Sequence, residues 1–374
     1  MTEINTILMP KWGLAMQEGM VAAWNVEVGD EISKGQEIMD IETSKITNSF
    51  ESPVSGKLRR KLVDIGETVP VGALLGVVAD DSIADHDIDA FVSGFQASFA
   101  ESQAAMASAK APEPESVEID GRRLRYLKLG EAEGDPVIFL HGYGADLNNW
   151  LFNQPALAEK HTTYALDLPG HGGSTKDVGT GTVQALAQAA LGFMKALRIG
   201  RAHLVAHSMG GAVALELAVR HPEKVASVTL ICPAGLGPDV SMEYINGFIE
   251  ANRRKKMEPV LKMLVANPDL VTGEMIEDVL KFKRLDGVDA ALKKLREAVF
   301  PSGKQALVLK DQLASLRTPV QVIWGKQDRI VPASHAENLP AAVKVSIFDD
   351  AGHLAHMEKA GETNALIEAQ VASA

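Results

Sequence analysis

The first 79 residues carry one short pattern twice, at an offset of 37, and no other feature restricts the fold so strongly. Gly19, Gly29 and Gly35 recur as Gly56, Gly66 and Gly72, and GDEISKG (29–35) is answered by GETVPVG (66–72). Five apolar positions keep the same register: Val26 with Val63, Val28 with Ile65, Ile32 with Val69, Ile38 with Leu75 and Ile41 with Val78. Three glycines could coincide by chance, but five apolar positions in step with them do not. Such short segments, punctuated by glycine, read as strands that cannot bury a face alone. Two copies solve this by forming two small sheets packed on each other about a pseudo-twofold. Glu42 to Lys45 then form a tight hairpin at one end. Lys45, in DIETSK (40–45), sits there as a solvated lysine open to an enzyme.

Beyond residue 79 the texture changes twice. Residues 80–116 are rich in Ala, Ser and Asp. Within them Ile88, Phe91, Val92, Phe95 and Phe99 fall at spacings of three and four, which is one face of a short helix. Such a stripe is expected to dock on a neighbouring domain. AKAPEPES (109–116) reads as an extended hinge, because Pro112 and Pro114 prevent helix. From 117 to 374, eight strand-like runs (VEID, LRYLKL, VIFL, TTYALD, AHLVAH, ASVTLI, VQVIW, VSIF) alternate with helical ones. The later runs are almost continuously apolar, as in a mostly parallel sheet covered on both faces. Asp120-Gly121 marks a hairpin turn. Between about 237 and 316 strands are absent and the pattern is helical, so this stretch is expected to form a cap.

One motif in the second region carries chemistry. AHSMGG (206–211) lies between an apolar strand and the helix AVALELA. Small residues around a serine at a strand–turn–helix junction allow the close approach that a nucleophile elbow demands. Ala206 stands where glycine is usual and is still small. A serine hydroxyl needs a base, and the base needs a carboxylate to hold it. Chain order then selects Asp328, after VQVIWG, as the acid and His353, after VSIFDDAG, as the base, both at strand ends where open sheets gather chemistry. Asp349 and Asp350 are rival acids, too near His353 in sequence to support it easily. HGYG (141–144) follows an early strand. The backbone N–H groups of Tyr143 and Met209 are the expected oxyanion donors. His141, His207, His171, His335 and His356, and Asp167, have blander readings as loop or helix residues. Cys232 ends a strand and is expected to be a buried residue, not a nucleophile.

Both regions resemble known families. MPKWGLAM (9–16), EGMVAAW (18–24), VGDEISKGQEIMDIETSK (28–45) and SPVSGKL (52–58) make residues 3–79, within a domain over 1–79, similar to a lipoyl domain. Ser44 and Ile46 flank Lys45, where the related biotinyl domain has methionines. The resemblance implies lipoate amide-linked to Lys45. HGYGADLNNW (141–150), DLPGHGGS (167–174), AHSMGG, GKQDRIVP (325–332) and GHLAHME (352–358) make about residues 117–372, within a domain over 117–374, similar to α/β-hydrolases of the fluoroperoxidase and meta-cleavage-product hydrolase type. The pair of modules resembles the dihydrolipoamide acetyltransferase components of bacterial acetoin-cleaving complexes. It differs from other acyltransferases of this kind in lacking an HxxxDG motif and a clear subunit-binding domain.

That resemblance implies acetyl transfer from the lipoyl arm to coenzyme A, with a thiamine-diphosphate acetoin-cleaving enzyme and a flavin-dependent dihydrolipoamide dehydrogenase as partners. A lipoyl-tagged thioesterase or esterase, and a non-catalytic carrier, stay open as alternatives. Arg253, Arg254, Lys255 and Lys256 form a basic run on the cap. It is expected to be a solvated face or, more sharply, a site for the phosphates of coenzyme A. Composition limits the rest. A formal charge of −12 argues against nucleic acid as partner. The single cysteine excludes an internal disulfide or a multi-cysteine metal site, and no metal is expected. With no membrane-spanning run and no signal peptide in view, a cytoplasmic location is expected.

Overall fold

The computed structural model describes residues 4–10, 18–43, 47–108 and 112–374. The chain divides into two compact units, 1–111 and 112–374.

In the first unit eight strands form two four-stranded antiparallel sheets. One is ordered β1 (Asn5–Leu8), β8 (Leu74–Val78), β6 (Gly56–Lys61), β3 (Glu31–Ile32). The other is ordered β5 (Thr47–Glu51), β4 (Glu37–Glu42), β2 (Glu18–Trp24), β7 (Thr68–Pro70). The offset of 37 carries β2, β3 and β4 onto β6, β7 and β8, so the sheets match strand for strand. Each sheet also borrows its last strand from the other copy, because β3 pairs with β6 and β7 with β2. Of the repeated apolar pairs, Ile38 with Leu75 and Ile41 with Val78 are fully buried between the sheets. Val28 and Ile65 are not: they are 54% and 64% exposed. Each directly precedes a turn glycine with positive φ, Gly29 at +102° and Gly66 at +87°. At this pair the repeat preserves a turn, not a core position.

The helix of the Ala/Ser-rich segment is longer than its apolar stripe suggested, running over Asp85–Ser108. Ile88 and Val92 bury against Leu74, Val77 and Ala79, and Arg59 and Arg60 pair with Asp85 and Asp89 at its start. The alanine-rich sequence past the stripe favours helix by intrinsic propensity. The rest of the hinge, 109–111, lies outside the described residues.

The second unit is built on one eight-stranded sheet. Its strands are β9 (Glu115–Ile119), β10 (Arg122–Leu129), β11 (Val137–Leu140), β12 (Thr163–Leu166), β13 (Ala202–His207), β14 (Val225–Ile231), β15 (Val320–Gly325) and β16 (Lys344–Phe348). The order across the sheet is β16-β15-β14-β13-β11-β12-β10-β9. The pairs from β12 through β11, β13, β14 and β15 to β16 are parallel, and β9 and β10 add an antiparallel edge. Asp120 and Gly121 both have positive φ, +50° and +75°, as the two-residue turn between β9 and β10 requires. β11, β13, β14 and β15 are buried throughout. Between β14 and β15 the chain forms four α-helices, Met242–Glu250, Arg254–Lys262, Gly273–Lys283 and Val288–Val299, with short 3-10 turns between and after them. These are the cap. No described helix is long and apolar enough to cross a membrane.

Candidate active site

Ser208 joins β13 to the helix Met209–Arg220 at φ +53°, ψ −120°. This backbone is costly for a residue with a Cβ, and it persists only where surroundings over-determine it. Here they do. The Ser208 N–H donates to Ile231 O at 3.1 Å, and its carbonyl accepts from Gly211 N at 2.8 Å and Ala234 N at 2.9 Å. The small residues of the motif are needed for contact. A Cβ on Gly210 would lie 2.3 Å from Leu140 O, and one on Gly211 2.5 Å from Pro233.

The loop after β11 meets the serine from the side. A Cβ on Gly142 would lie 2.9 Å from Ser208 Cβ, so only glycine allows the approach. The N–H groups of Tyr143 and Met209 donate to no group among the described residues. His171 Nε2 accepts the next amide, Gly144 N, at 3.0 Å, and His141 Nε2 accepts Leu168 N at 3.0 Å. Both rings must be neutral to accept, and burial pushes both pKa values down. These two histidines therefore hold the loop from behind. Asp167 does likewise, taking Leu147 N, Gly173 N and Arg125 Nε at 2.6–2.7 Å. The Tyr143 hydroxyl donates to Leu292 O at 2.8 Å and so ties the loop to the cap.

Asp328 and His353 come together from the ends of β15 and β16. His353 Nδ1 lies 2.7 Å from Asp328 Oδ2, both side chains almost wholly shut off from solvent. The other carboxylate oxygen accepts Ile330 N and Val331 N at 2.8 and 3.0 Å. His207, the neighbour of Ser208, lies against this pair. Its Nε2 is 2.9 Å from His353 O and the rings are 4.7 Å apart. Burial, reinforced by the charges of His356 and His353, holds the His207 pKa far down. His356 packs against it with its ring tilted, its pKa driven by burial to about 3. Glu358 fixes the His353 loop, accepting Gly352 N at 2.7 Å and Ala266 N of the cap at 2.8 Å. Asp349 and Asp350 point elsewhere, pairing with Lys326 and Lys359.

Cys232 is buried, and burial raises its thiol pKa. Its sulfur, an Asp328 oxygen and a His353 nitrogen lie within 4.8 Å of one another. Because that carboxylate is already held by hydrogen bonds, the group reads as a buried acid–base pair. Arg253 to Lys256 are exposed at the start of the helix Arg254–Lys262. Arg253 is the N-cap without a side-chain cap bond, and no acid occupies the first turn. The structure gives this run no contact with Ser208. Lys45 lies outside the described residues. On either side of it, Glu42 of β4 pairs with Thr47 of β5. The parts that sequence reasoning missed are Glu358, the packing of His207 on His353, and Trp324, whose indole meets Asp328.

The chain is 46% identical over 364 residues to the dihydrolipoyllysine-residue acetyltransferase component of the acetoin cleaving system of Pseudomonas putida, spanning 97% of each chain. The chain belongs to this family. The corresponding component of Cupriavidus necator is 44% identical, over 97% of this chain and 96% of its own. Residues 135–360 match the alpha/beta hydrolase fold family, and residues 5–78 match the family described as biotin-requiring enzyme. The meta-cleavage product hydrolase of Pseudomonas fluorescens IP01 aligns with a TM-score of 0.63 at 24% identity, over 69% of this chain and 97% of its own, which shows the shared fold.

Proposed function

We infer that the chain transfers an acetyl group from a dihydrolipoyl arm to coenzyme A in acetoin catabolism, the reaction its family is named for, through an acyl-enzyme on Ser208. The observation that carries this reading is a serine on a strained, firmly held turn whose neighbour His207 packs on a buried Asp328–His353 pair, in a chain that also has the two-sheet lipoyl fold. A lipoyl group on Lys45 would supply the acetyl thioester. The pairing of Glu42 with Thr47 leaves only a four-residue connection for Lys45, which suits attachment there.

In the first half-reaction His353 takes the hydroxyl proton as Ser208 Oγ attacks the thioester carbonyl. The Tyr143 and Met209 amides donate to the oxyanion, and Asp328 holds the imidazolium. The C–S bond breaks, and His353 returns the proton to the departing sulfur. In the second half His353 takes the proton of the coenzyme A thiol, whose sulfur attacks the acetyl-Ser208 carbonyl. The C–O bond breaks and the proton goes back to Oγ. Tethering makes delivery of the acetyl group intramolecular.

The phosphates of coenzyme A are assigned to Arg253, Arg254, Lys255 and Lys256. Four cations around the uncapped, positive end of a helix oppose the helix dipole, an arrangement that an anion relieves. The partners are a thiamine-diphosphate enzyme that cleaves acetoin and loads the arm, and a flavin-dependent dehydrogenase that reoxidises it. The setting is the cytoplasm. The test is product partition by the full chain supplied with acetyl-dihydrolipoamide and coenzyme A. Acetyl-CoA should dominate. Acetate as the main product would make the protein a thioesterase, and no turnover would make it a carrier.

A further inference from the structure

Trp324 is the last large side chain of β15 and is fully buried. Its indole Nε1 lies 3.0 Å from Asp328 Oδ2, the same oxygen that faces His353 Nδ1 at 2.7 Å. The N–H is shared with Val331 O at 3.1 Å. The carboxylate thus accepts from four groups: Ile330 N and Val331 N on one oxygen, His353 and Trp324 on the other. Two amides on a single oxygen leave the second free to rotate about the line between them. The indole ends that freedom, and as a donor to an anion it also draws charge from the oxygen on which His353 depends.

We propose that Trp324 is a positioning residue for acyl transfer, its indole N–H fixing which Asp328 oxygen holds His353 and how strongly. The inference rests on the acyl-serine reading above. Without the N–H, Oδ2 is freer and more basic and holds the imidazolium proton more tightly. The base is then neutral only at higher pH. The other ionisable groups facing this pair are Cys232, just after β14, His207, from β13, and His356, from the short helix after His353, which burial keeps neutral. Burial keeps the thiol protonated and the His207 ring neutral. On the far side of the indole, His335 packs edge-on at 6.3 Å and is backed by Asp239.

The experiment compares the full chain with Trp324→Phe, reading kcat/KM for a thioester across pH, with Ser208→Ala as control. Phenylalanine keeps an aromatic ring and removes the donor. The expected result is a roughly tenfold fall in kcat/KM, the scale of one hydrogen bond to a charged acceptor. The acid limb of the profile should move up by about half a pH unit or more. If Trp324→Phe fails to fold, benzothienylalanine at 324 keeps the indole outline with sulfur in place of N–H, and the same shifts are expected. An unchanged acid limb in a folded variant overturns the positioning role, even if the rate falls through looser packing. Parent activity in Ser208→Ala overturns the acyl-serine reading, and this inference with it.

Discussion

At the residue scale the second unit gathers buried histidines around its serine, and this has a consequence for pH. His141, His171, His207 and His356 are fully buried with their pKa values lowered, burial being the first cause for each. A ring held neutral in the fold binds its proton more weakly there than in the unfolded chain. The stability it contributes is therefore complete above the unfolded value and is lost as pH falls towards the folded one. For His356 that window runs from 6.5 down to about 3. Each such ring should cost about 1.4 kcal/mol per pH unit within its window. Urea unfolding followed by tryptophan fluorescence should show the serine-bearing unit losing stability steeply from pH 6.5 to 5. A flat profile would mean that these rings are already charged. Sequence could mark His353, because chain order and a strand end select it. It could not reveal that His171 supports Gly144 or that Trp324 reaches Asp328. A buried ring acquires such work from its neighbours in space, and no local pattern records them.

At the element scale one substitution should act in opposite directions at two helices. Gly210, in the first turn after Ser208, faces Leu140 O at 2.3 Å and His141 O at 2.7 Å from the place a Cβ would take. Both are backbone atoms of the strand end and loop that lead to Tyr143, the proposed oxyanion donor, so neither can swing aside. Gly210→Ala should destabilise the fold by about 3 kcal/mol, measured by denaturant titration, and should reduce acylation sharply. Gly94 lies inside the helix Asp85–Ser108 with nothing within 4 Å of an added Cβ. Gly94→Ala should stabilise the first unit by about 0.5–1 kcal/mol through helix propensity alone. A loss there, or a silent Gly210→Ala, would contradict the packing described. The strands were legible as elements because buried parallel runs and glycine-bounded repeats leave strong local signals. The exchange of β3 and β7 between the two sheets was not, since pairing partners are chosen by the whole core.

At the scale of the whole molecule, the function lies in the pairing of a carrier with an acyl-transfer site, and each half has its own test. Lys45→Arg keeps the charge and should leave folding intact while removing the attachment nitrogen. Intact mass of the variant from lipoate-supplied cells should show no lipoyl adduct. Transfer in the assembled complex should vanish, while Ser208 still reacts with a small activated ester. Persistence of the adduct would place the modification elsewhere. The two modules are separately visible in the sequence because each has a compact signature. Their joint meaning comes from co-occurrence, and full-length kinship with the acetoin-cleaving family agrees with it.

On the proposed mechanism acetyl passes through Ser208 and is then taken by a thiol in preference to water. Water is abundant, so a transferase must orient the thiol well, and orientation can lower a barrier by about 7–11 kcal/mol. The cap meets the loops of the site at Tyr143–Leu292 and Glu358–Ala266, and exclusion of water there is the expected source of that preference. The most direct measurement is rapid quenching followed by mass spectrometry of the Ser208 peptide, with and without coenzyme A. Acetyl-Ser208 should accumulate and decay slowly to acetate without coenzyme A, discharge much faster to acetyl-CoA with it, and be absent from Ser208→Ala. Deacylation at the same rate with and without coenzyme A, or parent-rate transfer by Ser208→Ala, would contradict the account.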